Sequence, residues 1–252
     1  MIGQKLAEFG DPRPGVGLCD GLPDIVWIDI PGGRITLTGV DHVFEVEPFR
    51  MAKYLVTNAQ FEAFIKAEDG YRKEMWWNGI QRCEEASAAS WHEANSPRET
   101  VCWFEAVAFC RWLSQRAGSK IRLLTEWEWQ QAATGGDPNS EYQWLGEWEA
   151  DRCNSEESRL NRTTAVGLYL HGATKQGVMD MAGNVWEWCL NTYEQPEAPE
   201  SLRIDGSDEL RVVRGSSWND EPMFLHVSTR LGHVAGTRLS NGLGFRLAQD
   251  IP

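Results

Sequence analysis

Asp180 and Glu187 flank a glycine-centred turn in the phrase "DMAGNVWEW". Hard cations such as calcium take oxygens from carboxylates and backbone carbonyls, and a tight turn can aim several of them inward. The same two carboxylates could instead cap turns and bind backbone amides. Other metal-binding residue types are scattered. Cysteines stand at 19, 83, 102, 110, 153 and 189 with no CxxC pair, which argues against a zinc knuckle. Histidines stand at 42, 92, 171, 226 and 233, none in an HxxxE or HxH arrangement. His226 and His233, with Asp220 and Glu221 nearby in sequence, come closest to a nitrogen–oxygen set for iron. No GxSxG elbow is present, so a Ser-His-Asp hydrolase is not indicated.

The elements around these residues read as α+β. Residues 1–24 are rich in Gly, Pro and Asp and read as an irregular arm, followed by one domain over 25–252. "IVWIDI" (25–30) reads as a strand, and "HVFEVEPFRMAKYLVT" (42–57) as two strands with a turn near Pro48. "TNAQFEAFIKA" (57–67) changes to helical period, with Thr57 and Gln60 spaced as a capping box. Residues 68–100 show no period. "FEAVAFCRWLSQRAG" (104–118) reads as a helix ended by Gly118. Residues 120–136 read as a short strand and a second capped helix, Thr125 to Glu128 forming its box. Beyond 137 no helix is expected, only short strands such as 210–215 and 242–248 among long loops.

The chain of 252 residues holds 13 Trp and 24 Gly, which suits large aromatic plates packing irregular backbone. Its formal net charge of -13 argues against nucleic-acid binding. No apolar stretch reaches the length of a membrane span, and the opening residues do not read as a secretory signal. A cytoplasmic protein with reduced thiols is therefore expected.

Six phrases in order resemble the formylglycine-generating-enzyme, or sulfatase-modifying-factor, family. They are "PFRMAKYLVTNAQFEAF" (48–64), "VCWFEAVAFCRWLSQRAGSKIRLLTEWEWQQAATGG" (101–136), "RTTAVGLY" (162–169), "GVMDMAGNVWEW" (177–188), "RVVRGSSWND" (211–220) and "GLGFRLA" (242–248). The resemblance implies a loop-rich C-type-lectin-like fold with two or three helices. It implies a calcium site from the side chains of Asp180 and Glu187 and the carbonyls of Gly183 and Val185. A second site would use Asn154 and the Ser155 carbonyl, but the carboxylate expected near Ser158 is missing.

The family's enzymes oxidise a substrate cysteine with copper and oxygen, and two cysteines hold the copper because thiolates select Cu(I). Those positions fall at about Asp220 and Leu225 here, and no cysteine follows Cys189. No copper is expected, and the chain reads as a non-catalytic binding protein. The alternative is a metal-dependent, oxygen-using oxidoreductase of the same family.

Residues 224–243 contain no Glu, Lys, Gln, Met or Trp and are framed by two family-like phrases. This framing resembles the variable proteins of diversity-generating retroelements, in which asparagine codons of the template are rewritten within such a region. Glu221 and Met223 fall outside the residue set that process can reach. The resemblance implies a diversified binding surface at about 211–246, meeting a protein or other ligand. The candidate contacts are Asp220, Glu221, Met223, Phe224, His226, Leu231, His233, Thr237, Leu239, Ser240 and Asn241.

Overall fold

The computed structural model describes residues 2–144, 146–238 and 242–251. In chain order the first elements are α1 (Ile2–Phe9), the short hairpin β1 (Leu18–Cys19) and β2 (Leu22–Pro23), and β3 (Trp27–Ile30). The hairpin β4 (Gly33–Thr36) and β5 (Val43–Val46) precedes β6 (Phe49–Ala52) and α2 (Asn58–Lys66). Then come α3 (Trp103–Ala117), β7 (Ile121–Leu123) and α4 (Glu126–Thr134). The last strands are β8 (Trp186–Thr192), β9 (Leu210–Arg214), β10 (Arg230–Val234), β11 (Leu243–Phe245) and β12 (Leu247–Asp250).

Local chemistry sets the helix ends. The Thr57 and Thr125 side chains accept from the backbone N–H of Gln60 and Glu128, whose side chains answer the cap backbone in turn. Gly118 and Gly135 close α3 and α4 in the left-handed region, at φ 64° each. The arm departs from the expectation for 1–24. Ile2–Phe9 is helical and the segment is docked: Asn95 donates to the Gly3 carbonyl at 3.0 Å, Arg13 to the Val166 carbonyl at 2.7 Å and Thr57 to the Val16 carbonyl at 2.8 Å. These are long-range contacts, which local composition does not reveal.

Two four-stranded sheets carry the fold, in the orders β3-β6-β12-β7 and β10-β9-β8-β11. β11 runs parallel to β8, and β12 is antiparallel to both β6 and β7. One core packs α2 and α3 through Phe61, Phe64, Trp103, Phe109 and Trp112 against Trp188 and Phe245 of the strands. A second lies under α4 and includes Trp129, Met181, Cys189 and Val212. The unpatterned 68–100 stretch packs its own tryptophans: Trp76 and Trp77 are buried and donate to the carbonyls of Asp69 and Tyr71. No helix among the described residues is long and apolar enough to cross a membrane.

Candidate ligand-binding site

Four arginines, at 98, 211, 214 and 246, are among the largest fully buried side chains. One of them, Arg214, anchors the C-terminal region together with the partly buried Arg230. Arg214 on β9 donates to Glu126 at 2.7 Å, and Arg230 at the start of β10 donates to both oxygens of the same carboxylate, at 2.7 and 2.9 Å. Arg214 also binds the Val227 carbonyl and lies over the Trp129 ring, 4.5 Å from its centroid. Burial alone would raise the Glu126 pKa, but the two guanidinium groups outweigh it and hold the carboxyl below its ordinary value. The loop between Gly215 and Arg230 is thus fixed at its base by buried charge.

The loop itself follows from its small residues. Asp220 accepts from the Ser217 N–H and hydroxyl, both at 2.7 Å, and from Trp186 Nε1 at 2.9 Å. It therefore staples the loop from inside rather than presenting a free carboxylate. Glu221, Met223 and Phe224 are exposed, Met223 at 71%. His226 is half-buried with its ring edge toward Tyr142. Its Nδ1 accepts from the Ser228 N–H at 3.2 Å and faces the Ser228 hydroxyl at 2.6 Å, which leaves the proton of the neutral ring on Nε2. Leu231 is exposed on the edge strand β10, and His233 is half-buried near Trp188, where burial lowers its pKa. Thr237 closes a turn through its N–H to the Val234 carbonyl. Leu239, Ser240 and Asn241 lie outside the described residues.

A cleft of about 630 Å³ adjoins this loop. Its walls are the β4–β5 hairpin (Arg34, Thr36, Val43), the end of α4 with the following turn (Gln130, Thr134, Asp137, Ser140), and His226, Val227 and Ser228. Tyr142 and Trp144 stack beside the same loop with centroids 5.2 Å apart, and Trp148 lies against both. Sequence reasoning missed the hairpin wall, which long-range folding brings in. The aromatic density of "YQWLGEW" (142–148) was a usable signal.

The turn at 180–187 suits a cation in charge but not in open donors. Glu187 accepts from Arg246 Nε and Nη2 at 2.9 Å each, and that guanidinium also binds the carbonyls of Ala52, Lys53 and Met179. Asp180 accepts from the Gly167 N–H at 2.6 Å, and burial pushes its pKa up to about 6 against that bond and the Arg246 charge. Gly183 at φ 72° packs on the Asn154 carbonyl, and Val185 is fully buried. A calcium ion here would share Glu187 with a guanidinium. Asn154 and Ser155 serve the loop internally: Ser158 Oγ donates to Asn154 Oδ1 at 2.8 Å and to the Ser155 carbonyl at 2.7 Å.

A two-thiolate copper centre does not fit at the family position. Asp220 is a hard donor already engaged, and Leu225 is buried with Trp144, Cys153 and Ala182. His226 and His233 do not meet Asp220 or Glu221 in a ligand set. Among the described residues the one converging set of three His, Cys, Asp or Glu ligand atoms lies elsewhere, at Cys83, Cys102 and Glu105.

Residues 21–251 match the family described as sulfatase-modifying factor enzyme 1-like domain. The chain is 26% identical to the inactive C-alpha-formylglycine-generating enzyme 2 of Bos taurus, covering 88% of this chain and 87% of that protein. It is 29% identical to the formylglycine-generating enzyme of Streptomyces coelicolor, covering 83% and 80%. It is 32% identical to the hercynine oxygenase of Mycobacterium tuberculosis over 83% of this chain, yet spans only 54% of that protein. Among solved structures, PvdO from Pseudomonas aeruginosa shares the fold at TM-score 0.72 and 22% identity, covering 95% of this chain and 100% of that one. Treponema denticola variable protein 1 shares it at TM-score 0.68 and 20% identity, covering 90% and 96%. The expectation that the chain is not an enzyme is corrected by these relatives. Two of them are named as enzymes, so loss of the copper cysteines alone does not take a chain out of an enzymatic family. With the family model matched over nearly its whole length, the chain belongs to the sulfatase-modifying-factor, or formylglycine-generating-enzyme, family.

Proposed function

We propose that this chain recognises a peptide or other polar ligand with its C-terminal loop, residues 219–238, and the cleft beside it. One observation carries the reading: His226, Val227 and Ser228 of that loop form one wall of the 630 Å³ cleft. Hydroxyl, guanidinium and imidazole groups line the space, while Met223 and Phe224 offer exposed apolar anchors close by in sequence. Such a mix of a few polar groups and an apolar edge is what a ligand site requires. The Glu126–Arg214–Arg230 anchor would hold the base while the loop surface changed, which also suits a diversified surface. The test is a displayed random-peptide selection against the full chain, repeated on the H226A/S228A and M223S/F224S variants. Binders that lose at least about tenfold in affinity on both variants are expected, equivalent to about 1.4 kcal/mol. Binders indifferent to both would place recognition elsewhere.

A second reading, an oxygen-using oxidoreductase, draws on the 32% identity to a hercynine oxygenase. Oxygen uptake by the chain with iron(II), ascorbate and hercynine tests it directly; uptake no faster than with iron(II) and ascorbate alone would set it aside.

A further inference from the structure

Two thiols meet away from the cleft, where the 68–100 stretch touches the start of α3. Cys102 is the N-cap residue of α3 and is buried; Cys83 is half-buried in the loop opposite; their Sγ atoms are 3.4 Å apart. The nearby carboxylate is already engaged. Glu105 Oε1 accepts from Tyr71 Oη at 2.8 Å and Arg238 Nη2 at 2.9 Å, and Oε2 from the Cys102 N–H and Arg238 Nε, both at 2.9 Å. Arg238 Nη2 also donates to the Glu85 carbonyl at 2.9 Å.

This geometry disfavours a metal. Thiolates at about 2.3 Å from a tetrahedral zinc stand about 3.8 Å apart. The two sulfurs here are closer than that, Glu105 has no free lone pair to offer, and a cation would sit against the Arg238 guanidinium. The pair is also unequal. Either thiol can donate to the other; against burial, the bond to Cys102 and the Arg238 charge push the Cys83 pKa down. Cys102 is pushed up by the same bond, by burial and by Glu105. A half-buried sulfur of lowered pKa backed by a fully buried partner is the arrangement of an attacking and a resolving cysteine.

We propose that Cys83 and Cys102 form a reversible dithiol–disulfide site that low-molecular-weight disulfides oxidise. The Cys83 thiolate attacks one sulfur of the small disulfide, whose S–S bond breaks; one small thiolate leaves and takes a proton from water. Cys102 then loses its proton to water and attacks the Cys83 sulfur, and the second small thiolate leaves and takes a proton from water. Two protein thiols are oxidised by two electrons, and one small disulfide is reduced to two thiols. The Cys83–Glu85 loop is joined to Arg238 through Glu85 and Glu105, so the bond also resets the support under the end of the C-terminal loop. The proposal stands independently of what the cleft binds.

The reduced full chain is equilibrated with reduced and oxidised glutathione at set ratios, acid-quenched, alkylated, digested and weighed. A Cys83–Cys102 peptide pair lighter by two hydrogens is expected, reverting with excess reduced glutathione. In C102S, glutathione on Cys83 should accumulate at least roughly tenfold above its level in the wild type, because the resolving thiol is gone. C83S should show neither product. Serine keeps a cap oxygen at 102, so C102S retains α3, and an unchanged melting temperature confirms it. A wild type that stops at the Cys83–glutathione adduct overturns the proposal, and so does a pair formed only in urea. Protection of both thiols by one bound zinc per chain overturns it in favour of a metal site.

Discussion

Replacing Glu126 with Ala removes the single carboxylate between two guanidinium groups. Arg214 is 1% exposed and Arg230 13%, so two positive charges would remain in the interior with no acid between them. Breaking a buried ion pair by deleting one partner costs about 3–5 kcal/mol. At this chain length each kcal/mol shifts the melting temperature by about 2–4 °C, so a drop of about 6–20 °C is expected. E126Q keeps the shape and a neutral acceptor and should fall between. Urea unfolding at pH 7 measures the loss. Hydrogen exchange should quicken over 227–234, the stretch that Arg214 and Arg230 hold, before it quickens in α2 or α3. The pH dependence has a defined sign. The folded Glu126 pKa lies below the unfolded one, so its stabilisation is present above the unfolded value near 4.3 and is lost as pH falls through the folded value. Wild type and E126A should therefore converge in acid. A loss below about 0.5 kcal/mol at neutral pH would refute the anchoring role, since that is the size of an ordinary surface effect.

M223S/F224S should leave the melting temperature within about 4 °C of wild type, because each surface change costs under about 0.5 kcal/mol, yet weaken peptide binding at least about tenfold; a larger thermal loss would mean these side chains pack inward. G183A should prevent folding at ordinary temperatures: an added Cβ would lie 2.1 Å from the Asn154 carbonyl oxygen at a φ of 72°, and circular dichroism reads the outcome. Calcium at 180–187 is a proposal, under which calcium added after chelation raises the wild-type melting temperature but not that of D180N; equal response of both would remove Asp180 from the site.

The helices were legible because their ends are written in adjacent residues: Thr57 with Gln60, Thr125 with Glu128, Gly118 and Gly135. The ordered phrases carried the family and the fold. What escaped was set by distance in the chain. β8 hid inside a phrase that looked like a metal turn, because a strand buried along its whole length shows no alternation. Glu187, expected as a cation ligand, also pairs with Arg246, 59 residues away, which no local spacing reveals. Asp220 read as a surface contact because the Trp186 N–H that engages it comes from another strand. The exposed Met223, Phe224 and Leu231 stood among the candidate contacts, whereas the cleft wall from Arg34 to Val43 did not.

The place of β12 ties the order of synthesis to the order of assembly. Residues 247–250 lie between β6 and β7, strands made from residues 49–52 and 121–123. Until the ribosome has passed residue 250, those two strands have a gap where their shared neighbour belongs, and their facing edges stay open to other chains. That sheet cannot close until residues 247–250 pair with both strands, a long-range closure of the kind that slows folding. Altering residues 243–248, which are buried, should lower both the melting temperature and the yield of folded chain.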